Sequence, residues 1–122
     1  MLIAFWIVNG LAALVFLAAG IMKLARPREA LTAAGMAWAG DFASPSVKLI
    51  GLAEALGGLG LVLPLLTGIA AILSPIAGVA LAVVMVGAIV VHVRRSESAV
   101  PAAVLLVLAL AAAILGFLVV LG

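Results

Sequence analysis

The sequence SVKLIGLAEALGGLGLVLPL, residues 46–65, decides the fold of this chain. It is a run of mostly apolar residues of the length, about 20, that spans the hydrocarbon core of a bilayer. One carboxylate, Glu54, lies inside it. Placing a carboxylate at the centre of such a helix costs about 2.5–3.5 kcal/mol, so an intramembrane acid is by default a functional group. The stretch therefore predicts a membrane-spanning helix with a functional acid in its interior.

Glycines flank this acid on its own helical face. Gly51 precedes Glu54 by three residues and Gly58 follows it by four, which places all three side by side on an α-helix. Small residues allow a neighbouring membrane helix to approach closely, so we expect Glu54 to face the interior of a bundle. Lys48 marks the membrane interface, and a rise of 1.5 Å per residue puts Glu54 about 9 Å deeper.

The composition limits the class of protein. Of 122 residues, 70% are hydrophobic, and only 6 basic and 4 acidic residues are present. An ordinary soluble domain, about a quarter charged, is thereby excluded, and the length leaves room for one domain. The absence of cysteine rules out a thiol relay, a disulfide and a thiolate metal site, and we expect no metal centre. With a net charge of only +2, the basic residues are interpreted as a membrane-orientation signal, and no nucleic-acid partner is expected.

The apolar runs predict an all-α, polytopic membrane protein. Four spans are expected at about 2–25, 46–65, 68–93 and 99–121, with a short surface helix over 28–40 between the first two. They would form a four-transmembrane-helix bundle in contact with the lipid bilayer. The surface helix could cover the inner mouth of the bundle or merely connect two spans, and we favour a connector.

Prolines and glycines set the expected boundaries. Pro27 should break the first helix, and Pro64 should end the second. A tight, uncharged turn should then lead directly into the third helix at Gly68. Ser74-Pro75 should bend that third helix within its length.

The basic residues predict the orientation. Every one of them lies in the connections after the first and third spans: Lys23, Arg26, Arg28, Lys48, Arg94 and Arg95. Because loops rich in lysine and arginine stay in the cytoplasm, both connections should be cytoplasmic and both termini outside.

Two further ionisable side chains end spans on the same side as Glu54. Lys23 closes the first helix and His92 the third. Each has a simpler explanation, since a terminal lysine often extends to the headgroups and a terminal histidine often caps its helix. Together, an acid, an amine and an imidazole at similar depth predict one polar cavity open to the cytoplasmic leaflet. Asn9 would lie further along the same lumen, or would hydrogen-bond a neighbouring helix.

Four short stretches resemble the DoxX-like family of small four-helix bacterial and archaeal membrane proteins. They are AGIMKL at 19–24, IGLAEALG at 50–57, GLVLP at 60–64 and GAIVVH at 87–92. The resemblance covers nearly the whole chain, and its specificity comes from the order and spacing of these stretches.

The resemblance implies a bacterial or archaeal cell membrane and singles out Lys23, Glu54 and His92. The family takes its name from archaeal quinone-linked sulfur oxidation, and a mycobacterial relative is associated with oxidant defence. A quinone is therefore a possible cofactor. Cysteine-dependent partnerships proposed for relatives cannot use thiols of this chain.

Three functions remain open. If the chain is an enzyme, its candidate catalytic residues are Lys23, Glu54 and His92. The first, which we favour, is a redox-associated protein that handles a quinone or other small apolar molecule. Glu54 would exchange protons, His92 would relay them, and Lys23 would hold an anion or tune the acid. The second is a proton-coupled transporter of lipophilic compounds, against which a competing Lys23 argues. The third is an accessory or structural subunit, with Lys23 and Glu54 as an ion pair. A homo-oligomer or larger membrane complex is compatible with each.

Overall fold

The fold is a ring of four long helices with a short helical segment at one end. The computed structural model describes residues 2–41 and 44–122, and the elements it assigns there are helices. Their bounds are α1 Leu2–Ala25, α2 Arg28–Ala33, a 3-10 helix Ala37–Asp41, α3 Ser44–Thr67, α4 Leu73–Arg94 and α5 Val100–Leu121. The four long helices, α1, α3, α4 and α5, are each long and apolar enough to cross a membrane. The predicted all-α fold with four spans is confirmed.

The outer surface of the bundle is apolar. Each long helix exposes large aliphatic side chains, among them Ile3, Leu66, Val83 and Val107. Apolar surface of this extent is not left in contact with water in a soluble monomer. The four helices therefore contact the bilayer with their outer faces and bury only a narrow inner stripe.

Small residues allow the helices of the bundle to touch. A Cβ atom on Gly51 would lie 2.7 Å from Cβ of Lys23, and one on Gly58 would lie 2.9 Å from the carbonyl oxygen of Ala13. These distances are too short for any side chain, so α1 and α3 meet backbone to backbone, as small residues permit in membranes. A Cβ atom on Gly78 would lie 3.0 Å from Cβ of Ala113, so α4 and α5 also approach each other closely.

A buried polar cluster joins three helices in the half of the bundle near the α3–α4 turn. The Leu61 carbonyl oxygen accepts a hydrogen bond from Asn9 Nδ2 at 2.9 Å and another from Ser74 Oγ at 2.6 Å. Asn9, Leu61 and Ser74 belong to α1, α3 and α4. The alternative in which Asn9 makes an interhelical hydrogen bond is thus confirmed.

The turn between α3 and α4 differs from the prediction. α3 passes through Pro64 and ends at Thr67, so Pro64 lies in the last turn and removes the backbone hydrogen bond to Gly60 without ending the helix. The Thr67 hydroxyl donates to the Leu63 carbonyl oxygen at 2.8 Å, which satisfies part of the last turn. Gly68 then takes a left-handed conformation with φ of 71°, which ends the helix.

Two other details differ from the prediction, although the short helical segment between the first two spans is present as expected. Pro75 does not bend a helix interior but lies in the first turn of α4, where its missing N–H is not needed. The single surface helix over 28–40 is divided into α2 and the 3-10 helix. Gly35, with φ of 104°, separates the two pieces because few other residues adopt that conformation.

Candidate functional site

An ion pair lies inside the bundle. Lys23 Nζ, from the last turn of α1, is 2.5 Å from Oε1 of Glu54 in α3, and the two side chains are only 9% and 2% exposed. Glu54 faces the interior, in agreement with the position of its flanking glycines. Lys23 does not extend to the headgroups, because its stem turns inward to the carboxylate.

Lys48 holds the end of the helix that carries Lys23. Its ammonium group donates to the carbonyl oxygens of Lys23 at 2.7 Å and Leu24 at 3.1 Å, and also to that of Arg26. The last carbonyls of a helix have no partner within the helix, and a cation placed there satisfies them. Together with the close approach at Gly51, this contact fixes the end of α1 against the start of α3.

The connection between α1 and α3 contributes to the site through Trp38. The Lys23 Nζ atom lies 5.6 Å from the centroid of the Trp38 ring, within the range of a cation–π interaction. The 3-10 helix therefore packs over the lysine end of the ion pair. Trp38 lies within the surface helix predicted over 28–40, and the sequence predicted no role for it in the site.

A cavity of about 500 Å³ opens beside the ion pair. This volume lies in the range of small-molecule sites, about 300–1,000 Å³. All three candidate residues line it: Lys23, Glu54 and His92. The remaining lining is mainly apolar and comes from all four long helices and the connecting segment: Ala19, Met36, Trp38, Ile50, Val84, Met85, Gly87, Ala88, Val91, Pro101, Ala102 and Leu105.

His92 reaches this cavity, but its polar partner is in the α4–α5 connection. His92 Nδ1 lies 3.3 Å from Glu97 Oε1, and Arg95 Nε donates to the same oxygen at 3.0 Å. The direct contact among the three candidate side chains is thus between Lys23 and Glu54. His92 lines the same cavity. Glu97 was not selected from the sequence, since it sits in a short polar turn that gives no sign of folding back onto α4.

Asn9 does not belong to the cavity, so its placement in a shared lumen was wrong. Along α1, the fully buried Phe16 lies between Asn9 and Lys23 and packs with Leu61 and Leu81 in the apolar core. The carboxamide oxygen of Asn9 is buried without a hydrogen-bond partner among the described residues.

The rest of the described chain offers little other polar chemistry. A second, more open cavity of about 410 Å³ lies between α3 and α4 near their connecting turn and has no ionisable side chain in its lining. Within residues 2–41 and 44–122, no group of three or more His, Asp or Glu side chains is placed to hold a metal ion.

Comparison with known proteins identifies one family. A sequence model of the DoxX-like family matches residues 7–114, a range that includes Lys23, Trp38, Glu54, His92 and Glu97. Searches of curated protein sequences and of solved structures give no match.

Proposed function

The chain belongs to the DoxX-like family and is an integral membrane protein with four spanning helices, and from this premise we propose that it binds a small, largely apolar molecule with a polar head, of quinone type. The head would lie against Lys23 and Glu54, and the ring against the apolar cavity walls. One observation carries the proposal: the buried ion pair borders an apolar cavity of about 500 Å³.

The energetics of the pair favour a functional role over a purely structural one. Removing two charges from water costs several kcal/mol per ion, and apolar residues of similar volume often stabilise a fold as well or better. Charged side chains within spanning helices typically mark ligand or proton pathways for this reason. Lys23 and Glu54 are therefore better explained by a ligand that needs them than by the stability of the bundle.

The donor set suits a quinone. The Lys23 ammonium group has three N–H donors, so it can contact Glu54 and still donate to a carbonyl oxygen of the ligand. The aliphatic and thioether side chains of Met85 and Leu105 offer contacts for the faces of a ring. A bound quinone would supply reversible transfer of two electrons and two protons.

The chain's own residues would handle the protons. Glu54 and His92 both border the cavity and are the candidate groups for proton exchange. His92 contacts Glu97, whose side chain is 30% exposed in the α4–α5 connection, so this pair extends from the cavity to the surface. On the proposed topology that surface faces the cytoplasm.

A proton-coupled transporter is less well supported. A lipophilic cation would have to displace the Lys23 ammonium group, which lies 2.5 Å from the carboxylate. Beyond the cavity, the buried Phe16, Leu61 and Leu81 fill the centre of the bundle, so a route to the other side would require them to move. An accessory role, with Lys23 and Glu54 as a structural pair, predicts no ligand, and the experiment below separates it from the proposal.

Trp38 provides a direct reporter of binding. The chain has two tryptophans, so Trp6→Phe leaves Trp38 as the only fluorophore of its kind. Decylubiquinone titrated into this protein in phosphatidylcholine nanodiscs should quench Trp38 with saturation. The double variant Lys23→Met/Glu54→Gln removes both charges together, and it should raise the half-quenching concentration about tenfold or more because hydrogen bonds to charged groups contribute about 1.5–3 kcal/mol.

The matched control is Trp38→Phe, which retains Trp6 near the opposite end of α1. Its quenching reports only quinone dissolved in the bilayer and should not saturate. Linear quenching of Trp38, equal to that of Trp6, would contradict the proposal and favour the accessory role.

A further inference from the structure

We infer that the cavity opens sideways into the bilayer at Gly87, and that its ligand carries an apolar chain that leaves the protein there. The polar head would remain at the Lys23–Glu54 pair. This inference rests on the proposed function and assigns the ligand a class, a tailed lipophile that enters from the membrane.

Gly87 is at once a cavity residue and an outer-surface residue. It lines the cavity, it is exposed, and a Cβ atom built on it would meet no atom within 4 Å. Among the cavity-lining residues that the structure describes, the other exposed one is Pro101, in the first turn of α5. Pro101 therefore marks the end of the bundle, where a polar mouth is expected.

The position of Gly87 along α4 makes its opening a lateral one. Seven residues separate it from Arg94 at the end of the helix, which corresponds to about 10 Å of rise. That depth lies within the apolar span. Val83 and Val90, on the same face one turn to either side, are 67% and 44% exposed and belong to the lipid-facing surface.

The packing of α3 on α4 explains why the opening lies at this level. Nearer the α3–α4 turn the two helices are in close contact. A Cβ on Gly57 would lie 2.5 Å from Leu81 Cδ2, and one on Gly60 would lie 3.1 Å from Ala77 Cβ. Towards the cavity, Ala53 on the same side of α3 is exposed, as is Gly87. The two helices are thus in contact in one half of their length, and in the other half Gly87 lines the cavity with open space at its Cβ position.

The size of the cavity agrees with a tail that leaves. About 500 Å³ buries most of a drug-sized ligand, so a longer lipophile would extend beyond the cavity. An opening at Gly87 places the remaining methylene groups among lipid acyl chains, where they need no further protein surface.

A pair of quinones that differ only in the tail tests the inference. Decylubiquinone and the same dimethoxy-methyl-benzoquinone without its tail are titrated against the Trp6→Phe protein, with and without Gly87→Leu, and Trp38 fluorescence is recorded. Gly87→Leu should raise the half-quenching concentration of decylubiquinone about tenfold, because the leucine side chain fills the opening and the tail would overpack it, and that of the tailless quinone less than about twofold.

Gly10→Leu is the matched control, since a Cβ at Gly10 also meets nothing within 4 Å and Gly10 does not line the cavity. It should change neither titration. If Gly87→Leu leaves both quinones unaffected, or weakens both equally, the lateral opening is wrong while the site itself stands. If neither quinone saturates Trp38 quenching in the parent protein, the proposed function fails and the inference fails with it.

Discussion

The Lys23 ammonium group lies 2.5 Å from the Glu54 carboxylate in the interior of the bundle, at the wall of an apolar cavity. Removing one member of a buried ion pair leaves the other charge uncompensated. We therefore expect Glu54→Gln to lower the free energy of unfolding by about 3–5 kcal/mol. Thermal unfolding of the purified protein in detergent, followed by circular dichroism, measures this loss.

The double variant Lys23→Met/Glu54→Gln serves as the control for this prediction. It removes both charges, so it should recover most of the stability lost by Glu54→Gln. Losses that simply add in the double variant would show that the two side chains do not interact energetically. The sequence left open whether Lys23 and Glu54 form an ion pair, and the observed pairing is the basis of this prediction.

The contact between α1 and α3 gives a second prediction. A Cβ on Gly51 would lie 2.7 Å from Lys23 Cβ and 3.0 Å from the Gly20 carbonyl oxygen. Gly51→Ala should therefore push the helices apart and destabilise the protein by about 1–3 kcal/mol, the usual cost of overpacking. The same unfolding experiment measures it.

Gly10→Ala is the control on the same helix, because its added methyl group meets no neighbour within 4 Å. It should leave stability unchanged or raise it by up to about 1 kcal/mol, since alanine is the better helix former. Equal effects at Gly10 and Gly51 would mean that helix propensity, rather than the close approach of α1 and α3, determines the result.

The sequence predicted the architecture because the strongest signals were local. Four long apolar runs are sufficient to predict four spanning helices, and glycines spaced around Glu54 are sufficient to predict that it faces inward. Boundaries were less certain, since Pro64 and Pro75 are compatible with either a helix interior or a helix end. The two possibilities are distinguished by where the α3–α4 turn begins and ends, at Gly68 and before Leu73.

Part of the site was also predictable, because the signals for Lys23 and Glu54 are local in the sequence. Lys23 and Glu54 stand out because a charge in an apolar helix is costly, whereas Trp38 and Glu97 lie in polar connections where such residues are common. Their roles depend on how the connections fold back: Trp38 over Lys23, and Glu97 onto His92. Nothing in the local pattern specifies those long-range contacts.

We propose that the connections after α1 and α4 are cytoplasmic, because all six basic residues lie at that end of the bundle. The chain has no cysteine, so single cysteines can be introduced without background. Ser98→Cys should resist a membrane-impermeant maleimide in intact cells, and Ile69→Cys, in the α3–α4 turn, should react. Labelling in the opposite pattern would show that the topology is inverted and that the cavity lies on the other side of the membrane.

We propose that the cavity beside Lys23 and Glu54 holds an apolar molecule with a polar head. The most direct measurement is mass spectrometry of the organic extract from protein purified out of its membrane, compared with Ala88→Leu, a variant that fills the cavity from α4. We predict one lipophile with a quinone or similar head that copurifies in a fixed ratio with the unaltered protein and is depleted in Ala88→Leu. The same lipid profile in both, with no enriched compound, would contradict the claim.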